Sequence, residues 1–139
     1  MSMDSYMARV AAFHQGCHHP VGTGSLDNRE LVELRLKLIE EEVRELRESL
    51  KESPRNDAAV LKELADIQYV LSGFAVAFGL PLPEAFDRVH TSNLTKFVNG
   101  VMQKRQDGKL LKGPNYTPPV LEDLLEKTAQ GEELEQKES

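Results

Sequence analysis

Five acidic residues fall in a pattern that can do chemistry: Glu41, Glu42 and Glu45, then Glu63 and Asp66. Within 28–52, Leu31, Leu34 and Leu38 define one helical face, and helical spacing continues that stripe through Glu42 and Glu45. Two carboxylates therefore stand where leucines would be expected. Glu63 and Asp66 repeat the three-residue spacing in a segment that is otherwise apolar, so they also project from a single face. Glu40, Glu48 and Glu52 read as ordinary solvated acids. Lys62, four residues before Asp66, could pair with it, but that would leave Glu42 and Glu45 unexplained. A buried carboxylate costs several kcal/mol unless a cation or hydrogen bonds compensate it. Four carboxylates from two neighbouring helices make an all-oxygen ligand set, which suits a hard cation such as Mg²⁺ or Mn²⁺ and, with it, substrate phosphates.

Elements that would hold these residues follow from periodicity and stop signals. Asp4 caps a short helix over 5–15 with Met7, Val10, Ala11 and His14 on its apolar side, and Gly16 ends it. Asp27 and Glu30 have capping-box spacing ahead of a long helix to Glu52, stopped by Ser53-Pro54. Val32, Leu36, Ile39, Val43, Leu46 and Leu50 give that helix a second apolar face. A second long helix is expected from Asp57, its cap, to Phe78, with Gly79 and Pro81 as the stop. Asp66 is the only charged residue between Leu64 and Leu80, which predicts a central place in the packing. Pro83 opens a further helix to Val98, with Leu82, Phe86, Val89 and Phe97 as its inner stripe. Glycines and prolines break residues 99–119 into loop or a short hairpin at Asp107-Gly108, and a last short helix is expected over Val120–Ala129.

Composition narrows the class. With 139 residues there is room for one core, so the expectation is one domain over 1–130 and an acidic, disordered tail at 131–139. Aromatics are 6% of the chain, which favours helices over sheet. Seventeen basic against 23 acidic residues give a net charge of −6, which speaks against nucleic acid as partner. The single cysteine excludes an intrachain disulfide and suits a reducing, cytoplasmic setting. No apolar run approaches the ~20 residues of a membrane span. His14, Cys17, His18 and His19 lack a second cluster to complete a zinc site. Gly22-Thr-Gly24 lacks both the glycine pattern and the preceding strand of a phosphate loop.

The run Glu41-Glu42-Val43-Arg44-Glu45, followed after 17 residues by Glu63-Leu64-Ala65-Asp66, resembles the EExxE…ExxD signature of the MazG-like, all-α nucleoside triphosphate pyrophosphohydrolases. The likeness continues through Asp66–Gly73, Asn93-Leu-Thr-Lys96 and Asp107–Tyr116, and this ending resembles the phosphoribosyl-ATP-pyrophosphohydrolase-like branch that includes MazG-type dUTPases. The resemblance covers roughly residues 5–120. It implies Mg²⁺-dependent cleavage of a nucleotide between its α- and β-phosphates, with Glu42, Glu45, Glu63 and Asp66 as metal ligands and Glu41 acting on the attacking water. Spacing alone permits either Glu41 or Glu42 as that base. It also implies assembly as a homodimer or tetramer, which the two nonpolar faces of the first long helix support.

Asn93 lies within the stripe of Phe86, Val89 and Phe97, where it could serve either a helix–helix hydrogen bond or a substrate contact; the resemblance favours substrate, with Lys96 as a phosphate contact. Lys109 and Lys112 belong to a basic stretch, six cations against one acid between Arg88 and Pro119, suited to a triphosphate. Tyr116 could stack on a base, and His14 could approach the nucleotide. The expectation is an all-α helical bundle of long antiparallel helices completed by homodimerisation. As an enzyme it would hydrolyse dUTP or another pyrimidine deoxynucleotide, with phosphoribosyl-ATP as the competing substrate. The rival of another kind is a non-catalytic helical interaction module, for which the acids are only a solvated face.

Overall fold

The computed structural model describes residues 4–102, 104–109 and 111–126. Four helices follow one another, α1 (Asp4–Gly16), α2 (Arg29–Lys51), α3 (Asp57–Phe78) and α4 (Leu82–Leu94), with a short helical turn at 122–126. Among the described residues no strand forms, and the fold is all-α as expected. Residues 127–129 of the expected last helix and the tail 131–139 lie outside the described residues. The chain falls into two compact units, Met1–Leu80 and Pro81–Ser139.

In the first unit α3 is central and packs against both α1 and α2. Burial concentrates in its C-terminal half, where Ser72, Gly73 and Ala75–Phe78 are enclosed, and in Val10 and His14 of α1. Arg35 of α2 lies near Gly73, whereas Glu42 and Glu45 approach Glu63, so α2 and α3 run antiparallel. Helix starts are set one residue earlier or later than the acidic caps expected. Asn28, rather than Asp27, accepts the Leu31 amide, and Asn56, rather than Asp57, accepts those of Ala58 and Ala59. Each asparagine has an extended backbone, the geometry that aims a cap side chain at the first turn.

The Gly22–Gly24 loop has a structural task. Its Gly22 and Gly24 amides donate to the carbonyls of Val76, which also accepts from Gly79, and Ala77 in the last turn of α3. Space there is tight: a Cβ on Gly24 would lie 2.8 Å from the Ala77 carbonyl oxygen. Gly79 ends α3 in the left-handed region (φ 65°), where a side chain is disfavoured.

In the second unit α4 stops at Leu94, four residues before the expected end. Its inner face differs from the apolar stripe read from periodicity. Phe86, Val89 and Phe97 are exposed, and so is Asn93 among them. The face turned inward carries Arg88, Ser92 and Thr95, because the returning chain is fastened by polar groups. Arg88 forms a two-pronged ion pair with Asp123 and also donates to the Val120 carbonyl. The Ser92 hydroxyl donates to the Thr117 carbonyl (2.6 Å), and the Thr117 amide donates to the Thr95 hydroxyl (2.8 Å). Two tight turns with residues in the left-handed region follow α4 among the described residues. One sits at Asp107-Gly108 as expected, with Gly108 at φ 83°. The other is at Asn99-Gly100, where both residues have positive φ and Val98 and Val101 exchange backbone hydrogen bonds. Asn-Gly is the commonest sequence for such a turn.

Candidate metal centre

The α2–α3 seam gathers three of the expected carboxylates. One oxygen from each of Glu42, Glu45 and Glu63 lies within 4.8 Å of the others. Glu63 is 8% exposed, Glu42 is partly buried and Glu45 is exposed. Antiparallel packing brings this about. The three-residue step from 42 to 45 runs along α2 as the equivalent step from 63 to 66 runs back along α3, so acids at these positions meet across the seam.

Electrostatically this arrangement is loaded. Glu42 Oε2 and Glu63 Oε2 are buried with no hydrogen-bond partner. Burial first, then the charge of Glu45, the close approach of the Glu63 carboxyl and the charge of Asp66, push the Glu42 carboxyl up to about 7. A buried acceptor lacking a donor costs free energy, and like charges in contact add to it. A divalent cation answers both: it supplies the missing partner and neutralises the repulsion. All-oxygen ligands favour a hard ion over a thiophilic one. The residues present thus fit a metal.

Asp66 is placed differently from its expected companions. Its Oδ2 accepts a hydrogen bond from Lys62 Nζ at 2.7 Å, while Lys62 also lies 3.7 Å from Glu63 Oε1. The carboxylate of Asp66, held in that bond, raises the Lys62 ammonium above its ordinary value. Asp66 remains close enough for its charge to act on Glu42. Glu41 precedes Glu42 by one position, about 100° round the helix, and is not a member of the trio.

His14 is 3% exposed, and both its ring nitrogens are engaged inside the first unit. Nδ1 donates to the Pro20 carbonyl at 2.9 Å, which leaves Nε2 to accept from Arg35 Nη1 at 3.4 Å. Burial lowers the His14 pKa, more than the Pro20 hydrogen bond raises it, and keeps the ring neutral. Arg35 itself was missed by sequence reasoning: an arginine on an amphipathic helix reads as solvent-facing, yet it is only 4% exposed.

Of the residues expected at the substrate, the second unit brings three together. Lys96 Nζ and Lys112 Nζ lie 5.8 and 4.8 Å from the centre of the Tyr116 ring. The contact depends on Gly113, since a Cβ there would meet Val98 Cγ2 at 2.6 Å and the Lys96 carbonyl oxygen at 3.1 Å. Lys109 is exposed at the Asp107-Gly108 turn, its amide donating to Asp107 Oδ1. Asn93 is exposed on α4.

No single helix among the described residues is long and apolar enough to cross a membrane. A search of curated proteins finds no match to the chain. A family profile, that of phosphoribosyl-ATP pyrophosphohydrolase, matches residues 10–93, a stretch that includes α2, α3 and all five acids of the paired motif. A match over more than half of the chain, with three acids of the paired motif meeting across one seam, places this protein in the phosphoribosyl-ATP pyrophosphohydrolase family of the MazG-like all-α superfamily, as a nucleotide pyrophosphohydrolase acting on phosphoanhydride bonds.

Proposed function

We propose that the protein hydrolyses a nucleoside triphosphate between its α- and β-phosphates, with dUTP or another pyrimidine deoxynucleotide as substrate, and so clears unwanted nucleotides from the cytoplasmic pool. The observation that carries this reading is the meeting of Glu42, Glu45 and Glu63 with two buried carboxylate oxygens left without partners. Glu42, Glu45 and Glu63 would hold Mg²⁺ or Mn²⁺, with Asp66 joining once Lys62 releases it. Bound there, the metal offsets phosphate charge and lowers the pKa of water. Glu41 accepts the proton of the water that attacks the α-phosphorus. The α–β bridging bond breaks, and the products are a nucleoside monophosphate and pyrophosphate. Within the second unit, Lys96 and Lys112, gathered at Tyr116, and Lys109 are the cations suited to phosphate, and Asn93 is the amide suited to a nucleotide, as the resemblance implies. His14 acts on the nucleotide through Arg35, since its own nitrogens are occupied.

Homodimerisation belongs to the same proposal. Leu36, Val43 and Leu50 of α2, and Leu61 and Leu64 of α3, are 39–68% exposed, and a second copy of the chain would cover them. A second substrate, phosphoribosyl-ATP of histidine biosynthesis, is favoured by the matching family's own description. The deciding experiment is a hydrolysis panel of the eight common NTPs and dNTPs plus phosphoribosyl-ATP, with products read by phosphorus NMR. Monophosphate and pyrophosphate from dUTP in preference to phosphoribosyl-ATP supports the first reading, and the reverse preference supports the second. Diphosphate and inorganic phosphate as products would overturn α–β cleavage.

A further inference from the structure

Arg35 is a cation buried in the seam with no acid to answer it. Among the described residues no carboxylate comes within 4.0 Å of its guanidinium, Nε has no hydrogen-bond partner, and the contact to His14 is long at 3.4 Å. Such a group costs several kcal/mol to enclose. Gly73 gives room to the histidine partner of Arg35: a Cβ there would stand 3.2 Å from His14 Nε2, and at an ordinary contact distance of 3.7 Å from Arg35 Nη1. The position is informative as well. Arg35 precedes Glu42 by seven residues, so it shares the carboxylate stripe of α2, ~10 Å along the helix from the acids. Beside His14 on α1, Phe13 meets Tyr69 of α3 edge to face at 5.6 Å, and the two rings remain 52% and 42% exposed. Tyr69 in turn is one helical turn beyond Asp66.

We infer that Arg35 is a specificity-determining residue that binds the nucleoside end of the substrate. The inference rests on the pyrophosphohydrolase reading above. With phosphates at the carboxylates, the rest of a nucleotide reaches about this far along the seam. The guanidinium donates to an acceptor on a flat heterocycle, a carbonyl oxygen or ring nitrogen, and the Phe13–Tyr69 pair offers that heterocycle an aromatic edge to pack on. In the free protein, His14 Nε2 stands in for the acceptor. Its hydrogen bond is long enough to be exchanged for a better one, and a neutral imidazole nitrogen holds a guanidinium less firmly than a charged acceptor would.

The test compares Arg35→Gln with the wild type on two substrates, dUTP and the base-free methyl triphosphate, alongside calorimetric binding of dUMP in EDTA. We expect KM for dUTP to rise ~10- to 100-fold, as loss of a charged hydrogen bond implies, with methyl triphosphate unaffected and dUMP binding weakened equally. An equal loss on both triphosphates would mean that Arg35 merely positions the carboxylates, and unchanged kinetics would mean that it contacts nothing; either result overturns the inference. Should Arg35→Gln fail to fold, Arg35→Lys carries the test, since it keeps the charge but loses the fork. Wild-type failure on both triphosphates, with dUMP still bound through Arg35, would sink the proposed reaction and leave the base contact standing. Failure on all three sinks both.

Discussion

Replacing Glu42 by glutamine should stabilise the metal-free protein at alkaline pH and abolish its response to magnesium. Glu42 has its carboxyl raised from 4.5 to about 7 in the folded state. A raised acid binds its proton more tightly when folded, so the stability it allows is present below pH 4.5 and is lost as pH climbs through 7. A rise of that size corresponds to at most ~3.4 kcal/mol of destabilisation at full ionisation. Glu42 is only partly buried, so water screens some of the effect, and ~1–2 kcal/mol is the realistic figure at pH 8. At pH 5 the folded carboxyl is protonated and less than ~1 kcal/mol of the cost remains. Glutamine cannot ionise, and its amide can donate to the orphaned Glu63 oxygen.

The assay is thermal unfolding of both proteins in EDTA at half-unit steps from pH 5 to 8. For a chain of this length ~1–2 kcal/mol moves Tm by ~3–8 °C. The variant should melt higher at pH 8 and converge on the wild type near pH 5. All other titratable groups are common to both proteins, so their contributions cancel in the difference. Added Mg²⁺ should raise Tm for the wild type alone. Parallel melting curves from pH 5 to 8, or a variant less stable at pH 8, would refute the idea that the carboxylates are crowded and short of partners.

Three further outcomes follow from the contacts. Lys62→Ala should tighten Mg²⁺ binding several-fold by calorimetry, because the cation would no longer displace an ammonium from Asp66; unchanged affinity would show that Asp66 is not a ligand. Gly24→Ala should cost ~1–3 kcal/mol in denaturant unfolding, since the new methyl would press on the Ala77 carbonyl and on Leu31; a neutral result would mean that the loop is free to move. Arg88→Ala should release the chain around Val120 and Asp123, seen as faster amide exchange in 117–124 with α2 and α3 unaffected.

Much of the carboxylate centre was legible because its signal is local. Acids three residues apart on two consecutive apolar helices can only meet if the helices fold back on each other, and the break at 52–56 makes them do so. Helix ends in the first unit were legible to within a residue or two for the same reason, but not the end of α4 or the choice of cap. Asp27 and Asn28 stand side by side, as do Asn56 and Asp57, and either type of side chain can cap; backbone dihedrals decide, and sequence does not state them. The inner face of α4 was misread for a different cause. Ser92 and Thr95 find partners at Thr117, more than twenty residues away, so no local pattern marks them as inward-facing. The Asn99-Gly100 turn, by contrast, carried a usable signal in its two residues alone.

Asp66 shows why legibility stops short of the working site. Helical spacing places it with Glu63, and its charge is felt at Glu42, yet its oxygen is committed to Lys62. Both facts have one cause: Lys62 stands one helical turn from Asp66 and its ammonium takes the acid within its reach. Glu63 Oε1 shares that ammonium at 3.7 Å, while the Oε2 atoms of Glu42 and Glu63 have no hydrogen-bond partner. Lysine fits the part because a single mobile ammonium on an exposed stem can leave at small cost, which a bidentate arginine could not. The pairing of Asp66 with Lys62 and the unpartnered Oε2 atoms of Glu42 and Glu63 are therefore complementary: one acid is held by a cation of the chain while two inner oxygens stay open to a ligand from outside.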